Sequence, residues 1–95
     1  MSDFYSIFSV KKKKVLITGA ANGNGKEISR AFGCAGSQLC LIDIDSDNLN
    51  KVANDIETQT NTIVDRFVVD LSSSEEVVNF LENNNDFDVV INNAG

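Results

Sequence analysis

Thr18-Gly19-Ala20-Ala21-Asn22-Gly23-Asn24-Gly25 stands between a short apolar run, Val15-Leu16-Ile17, and a segment with helical spacing from about Asn24 to Ala35. The apolar run reads as a strand buried on both faces, as in a parallel sheet. In the segment after the loop, Ile28, Ala31, Phe32 and Ala35 recur at helical spacing, and Gly36-Ser37 supplies a left-handed end. A glycine loop placed in this way can bring backbone N–H groups against a pyrophosphate, with the positive end of the helix dipole behind them. Glycine is required wherever a Cβ would block that approach.

The same alternation continues along the chain. Leu39 to Ile42 forms a second apolar strand ending at Asp43. Residues 47–58 place Leu49, Val52, Ala53 and Ile56 on one helical face, with Ser46 or Asp47 as cap. Phe67-Val68-Val69 is the third strand, ending at Asp70. Ser72-Ser73-Ser74-Glu75-Glu76 is a helix start, with capping oxygens followed by first-turn carboxylates, and Val77, Phe80 and Leu81 supply the inner face. After a polar turn at 86–88 comes Val89-Val90-Ile91, the fourth strand, and then Asn92-Asn93-Ala94-Gly95. The order βαβαβαβ predicts an α/β fold, a doubly wound parallel sheet of Rossmann-like type with strand order 3-2-1-4.

Other glycine motifs fail on the letters. A P-loop needs a glycine at Ala20 and a serine or threonine at Glu27. The common dinucleotide fingerprint, started at Gly23 and Gly25, needs its third glycine at Ile28. What remains is TGxxxGxG. With Asp43 after the second strand, Asp70-Leu71 after the third and Asn92-Asn93-Ala94-Gly95 after the fourth, the chain resembles the short-chain dehydrogenase/reductase family, in its TGxxxGxG branch, over residues 11–95. Asn24 departs from that pattern, which usually has an apolar residue there.

The resemblance implies a set of cofactor-contacting residues: Gly19, Ala21, Asn22, Gly23, Asn24, Gly25, Asp43, Ile44, Asp70, Leu71, Asn92, Ala94 and Gly95. Asp43 follows Gly25 by 18 residues, close to the spacing of an acid that grips an adenosine ribose. Hydrogen bonds from ribose hydroxyls to such a carboxylate are worth about 1.5–3 kcal/mol. A 2′-phosphate at the same place would cost on the order of 4 kcal/mol per unit charge at ~4 Å and an effective dielectric constant of ~20. The resemblance places a compensating cation at position 22 or 44, which hold Asn22 and Ile44. The expected cofactor is therefore NAD, preferred over NADP. The alternative for Asp43 is a solvated strand-end carboxylate, and Asp45 is a nearby competitor. Asp70 resembles the family's adenine-contacting acid, with a polar strand terminus as the alternative. The final Asn92-to-Gly95 turn is either the sheet-steadying turn of the family or a plain polar helix start.

Net charge is −6, which disfavours a nucleic-acid partner, and Lys11 to Lys14 read as a solvated lead-in to the first strand. With no histidine, and Cys34 and Cys40 not at metal-ligand spacing, no metal site is expected. Both cysteines are expected to pack as small apolar groups. Residues 1–10 form an N-terminal arm whose Phe4, Tyr5, Ile7 and Phe8 are candidates for packing on the domain. That arm does not read as a signal peptide, and no run reaches the ~18 apolar residues of a membrane span, so the default location is cytoplasmic.

The resemblance also implies a catalytic tyrosine, a lysine four residues later and a serine, all beyond the Asn92-to-Gly95 motif. The single tyrosine is Tyr5, with Ser9 four positions on, so no catalytic residue is assigned. The chain is expected to be the dinucleotide-binding half, residues 11–95, of an oxidoreductase. Such an enzyme moves a hydride between a nicotinamide cofactor and a small alcohol or ketone. By itself the chain is expected to be inactive, and a homo-oligomer is expected only of a full-length protein. The alternatives are a non-catalytic nucleotide-binding fragment and a decayed remnant.

Overall fold

The computed structural model describes residues 11–93; the expectations for the arm at 1–10 and for Ala94 and Gly95 fall outside the described residues. The elements in chain order are β1 (Lys14–Thr18), α1 (Gly23–Cys34), β2 (Gln38–Asp43), α2 (Ser46–Thr60), β3 (Val64–Val68), α3 (Ser74–Asn83) and β4 (Val89–Asn92). The four strands form one parallel sheet in the order β3-β2-β1-β4. This is the α/β arrangement and strand order expected from the sequence.

Strand position explains strand composition. The inner strands β1 and β2 carry continuous buried runs, Val15 to Thr18 and Leu39 to Ile42, because helices cover both faces. The outer strands are less covered: β4 alternates between half-buried and exposed residues, and in β3 only Val64 is fully buried. On one face Val15, Ile17, Leu39, Leu41 and Val64 meet Leu49, Val52, Ala53 and Ile56 of α2, with Ile28 and Phe32 of α1 alongside. On the other, Leu16, Cys40 and Ile42 meet Phe80 of α3 and Val69. Phe80 also packs edge-on to Phe67 at 5.1 Å and stacks with Phe87 at 6.3 Å.

Several local expectations are corrected. The cap of α2 is Asp45, whose side chain accepts from the Asn48 N–H; Ser46 and Asp47 lie inside the first turn. The third strand begins at Val64 and ends at Val68, earlier than the apolar run Phe67-Val68-Val69, because Asp65 and Arg66 of this edge strand interrupt the apolar pattern. Ala31 and Ala35 are exposed, and the buried line of α1 is Gly25, Ser29 and Gly33. Small residues at a spacing of four let this helix lie close to the structure beneath it. Leu81 is exposed, leaving Phe80 and the half-buried Val77 as the inner residues of α3. Cys34 is exposed near the end of α1, while Cys40 is buried in β2 as expected. The cap of α3 is Ser73, which accepts from the Glu76 N–H at 3.3 Å. Gly36 closes the α1 end with a φ of +91°.

Candidate functional site

The carboxyl ends of β1, β2 and β3 converge on the glycine loop. Two hydrogen bonds fix the loop to β2: the Ala20 N–H donates to the Ile42 carbonyl (3.2 Å) and the Ala21 N–H to Asp43 Oδ2 (3.0 Å). The other oxygen of Asp43, Oδ1, accepts from the Asp45 N–H at 2.9 Å. The carboxylate is thus oriented by one backbone donor on each oxygen. An ionised carboxylate has about four acceptor positions, so capacity for further donors remains.

Two more contacts fix the loop to β4. Thr18 Oγ1 accepts from the Asn93 N–H (3.0 Å) and donates to Asn92 Oδ1 (3.0 Å). The Asn93 side-chain amide donates to the Gly19 carbonyl at 3.2 Å. Gly25 completes this corner by its lack of a side chain: a Cβ there would stand 1.9 Å from the Gly19 oxygen and 2.7 Å from Asn93 Nδ2. Gly23, by contrast, has a φ of +54° and faces open space.

The helix starts differ in a way that bears on ligand binding. Asp45 and Ser73 cap α2 and α3 with side-chain oxygens. Asn22 precedes α1 without capping it; its amide reaches instead to Asp45 Oδ2 (3.4 Å) and to Asn48 Nδ2 (3.2 Å). The first turn of α1 therefore receives no side-chain cap and offers the positive end of its dipole to an anion.

Beside this loop lies a cleft of about 440 Å³ lined by Gly19, Asp43, Ile44, Val69, Asp70, Leu71 and Ser72. It brings together five of the residues singled out in the sequence: Gly19, Asp43, Ile44, Asp70 and Leu71. Asn22, Gly23 and Asn24 are exposed on the loop and first turn, outside that lining, and Gly25 is buried beneath them. Ala21 is buried, and its N–H is taken up by Asp43. Asn92 lines a neighbouring cleft with Thr18 and Leu71.

Asp70 is held ionised by its neighbours. The Ser72 hydroxyl (2.6 Å) and the Ser72 N–H (2.9 Å) both donate to Oδ1 and keep its carboxyl below the ordinary aspartate value. Asp45 is likewise lowered, first by the Asn48 backbone N–H, then by the side chains of Asn48 and Asn22. Among the described residues there is no cluster of three or more His, Cys, Asp or Glu able to hold a metal ion. No helix among them is long and apolar enough to cross a membrane.

The sequence reading missed the roles of Thr18 and Asp45, and it named Asn93 only as part of a turn. Asp45 did carry a signal: a carboxylate two residues past a strand end, with a polar residue three positions on, opening an apolar-periodic segment.

The model of the short chain dehydrogenase family matches residues 13–95. The chain belongs to this family. Oxidoreductase UcpA of Salmonella typhimurium is 37% identical over 86 residues, covering 87% of this chain and 32% of that protein. The structure of L-sorbose reductase from Gluconobacter frateurii, complexed with NADPH and L-sorbose, aligns at a TM-score of 0.81 and 26% identity over 92% of this chain and 35% of that one. The alcohol dehydrogenase of the archaeon Thermococcus sibiricus, complexed with 5-hydroxy-NADP, aligns at 0.75 with 35% identity over 82% of this chain and 35% of that one. The short-chain dehydrogenase chain described here spans 38% and 32% of the first two curated relatives it matches, about a third of their length.

Proposed function

We propose that this chain is the dinucleotide-binding part of an oxidoreductase acting between a nicotinamide cofactor and an alcohol or ketone, and that it takes NAD in preference to NADP. The observation that carries the reading is Asp43. Its carboxylate is fixed at the end of β2 by the Ala21 and Asp45 N–H groups and lines the cleft with Gly19, Ile44 and Asp70.

The residues present fit such a cofactor. Gly25 leaves no room for a side chain and Gly23 faces open space, so neither adds a side chain at the uncapped start of α1. Asp43 would accept from ribose hydroxyls, Asp70 and Leu71 would border the adenine, and the first turn of α1 would face the pyrophosphate. When bound, the nicotinamide supplies or accepts the hydride. What this chain contributes is orientation and charge; it carries no assigned catalytic residue, and alone it is expected to show no turnover.

The preference for NAD rests on charge. Asp43 would face a 2′-phosphate, and neither Asn22 nor Ile44 offers a cation to offset it. The L-sorbose reductase and archaeal alcohol dehydrogenase structures contain NADPH and 5-hydroxy-NADP. The family thus accommodates the phosphate, and the choice made here depends on these positions. The two free cysteines support a reducing, cytoplasmic setting.

Titrating the 95-residue chain with NADH and NADPH, followed by nicotinamide fluorescence, tests the reading. NADH should bind the more tightly, and Asp43→Ala should weaken it by about tenfold or more, the equivalent of a lost charged hydrogen bond. Equal affinity for NADPH would overturn the preference, and binding of neither would overturn the nucleotide reading.

A further inference from the structure

We infer that Asn22-Gly23 is a modification site, at which the backbone itself converts the asparagine to aspartate or isoaspartate and so puts a negative charge at the start of α1. The chemistry rests on the loop alone; its effect on a nucleotide rests on the reading above. Of all the asparagines only Asn22 and Asn24 precede a glycine, whose lack of a Cβ lets its N–H reach the preceding side chain. In the reaction Gly23 N attacks Asn22 Cγ and an N–Cγ bond forms. The Cγ–Nδ2 bond breaks, and ammonia leaves with the proton of the Gly23 N–H. Water then opens the cyclic imide at either carbonyl, giving aspartate or, with the backbone rerouted through the side chain, isoaspartate. Nothing is oxidised or reduced, and water is the sole co-reactant.

The fold separates the two asparagines. Attack requires the peptide plane between asparagine and glycine to turn. At Asn22-Gly23 both residues are exposed, and the Asn22 carbonyl accepts a single long bond, from the Lys26 N–H at 3.3 Å. The Gly23 N–H, first in α1, has no acceptor in the helix and none from a side-chain cap. Gly23 also has a φ of +54° and faces open space, so it can take up the turn. The Asn24-Gly25 plane lies inside the helix, above a buried Gly25 packed so closely that a Cβ would meet the Gly19 oxygen.

The Asn22 side chain is held for attack rather than for capping. Its Nδ2 donates to Asp45 Oδ2 (3.4 Å), and Asn48 Nδ2 donates both to that oxygen (2.8 Å) and to Asn22 Oδ1 (3.2 Å), closing a ring. The donor on Oδ1 stands where negative charge develops when Cγ is attacked. Loss of Nδ2 replaces the donor facing Asp45 with an acceptor, so the ring opens. The new carboxylate occupies the cap position of α1, where it competes with an anion for the first-turn N–H groups and the dipole end.

Peptide mass mapping of the folded chain during incubation in warm, mildly alkaline buffer tests this. Amide-to-acid conversion should be on the order of tenfold faster at Asn22 than at Asn24, whose peptide plane turns only when α1 opens locally. In urea the two should convert at similar rates, since both precede glycine. The NADH affinity of the folded chain should fall as the modified fraction rises, and Asn22→Asp should bind NADH about tenfold more weakly than the parent. Asn22→Gln, whose longer side chain closes the corresponding ring poorly, should keep its own starting affinity through the same incubation. Conversion at Asn24 as fast as at Asn22 in the folded chain, or at neither while both convert in urea, overturns the site. Conversion at Asn22 with NADH affinity unchanged overturns its effect on the nucleotide. Failure of the fresh chain to bind NADH overturns the nucleotide reading instead, and the mapping still decides the site.

Discussion

The side-chain amide of Asn93 donates to the backbone carbonyl of Gly19 across 3.2 Å, and so joins the end of β4 to the start of the glycine loop. The contact spans 74 residues of sequence, which makes it a tertiary fastening of the loop rather than a property of the loop's own letters. Asn93→Ala should remove about 1 kcal/mol of stability, the usual net worth of such a bond. Amide exchange should quicken at Gly19 and its neighbours more than in α2. Uniform exchange in the variant and the parent would show that the bond does not hold the loop.

Gly25 is the position where added volume is least tolerated. A Cβ would stand 1.9 Å from a backbone oxygen, so relief requires the loop or the helix to move. Gly25→Ala should destabilise the chain by about 3 kcal/mol, at the upper end of ordinary overpacking, and abolish NADH binding. Gly23→Ala meets no neighbour and should cost only about 1–2 kcal/mol, from its left-handed backbone. Urea denaturation of the two variants side by side checks the order; a milder effect at Gly25 than at Gly23 would contradict the packing described.

What could be read from the sequence follows from what sets each feature. Strands β1 and β2 are covered on both faces, so their apolar runs were plain, and the sheet order followed from the βαβ repeat. The edge strand β3 was misplaced by three residues at its start because the adjacent polar pair Asp65-Arg66 breaks the apolar pattern between Val64 and Phe67. Hydrophobic periodicity put Ile28, Ala31, Phe32 and Ala35 inward; Ile28 and Phe32 do pack on the core, but the fully buried residues of α1 are Gly25, Ser29 and Gly33, and Ala31 and Ala35 are exposed. Close approach selects for absence of side chain, which an apolar period does not register. At the site, Gly19, Asp43, Ile44, Asp70 and Leu71 were named from their places at strand ends and do share one cleft. The ring of Asn22, Asp45 and Asn48 was not legible, since it depends on the relative placement of two βα turns.

Acid should weaken the chain partly through Glu57. The Val64 N–H donates to its Oε2 at 2.9 Å, Arg66 pairs with its Oε1 at 2.6 Å, and both hold its carboxyl below the ordinary value of 4.5, the backbone bond contributing most. A carboxylate with a lowered folded-state pKa stabilises the fold above its unfolded pKa. That stability is lost as pH falls through the folded value. Glu57→Gln should therefore cost about 1 kcal/mol near neutrality, discounted for partial exposure, and flatten the fall of stability below about pH 4.5. Some slope should persist, because Asp45 and Asp70 are also lowered. Urea midpoints measured from pH 7 to pH 3 check this, and an unaltered slope would remove Glu57 from the account.

The two cysteines should differ sharply toward a thiol reagent. Cys34 is exposed, whereas Cys40 lies at 2% exposure inside β2 with its thiol pushed up to about 12, by burial first and then by the nearby Asp65. The thiolate is the reacting form, so the folded chain should take one iodoacetamide adduct quickly, at Cys34, and a second only on unfolding. Because Cys40 pairs in register with Leu16 of β1, its labelling reports the opening of the central sheet. NADH bound to the folded state should protect it: at about a hundredfold excess over the dissociation constant, the open fraction and hence the Cys40 rate should drop by about a hundredfold. Labelling at Cys34 should change far less. Two adducts appearing together in the folded chain would contradict the burial of Cys40. A Cys40 rate indifferent to NADH, in a chain otherwise protected from labelling, would count directly against nucleotide binding.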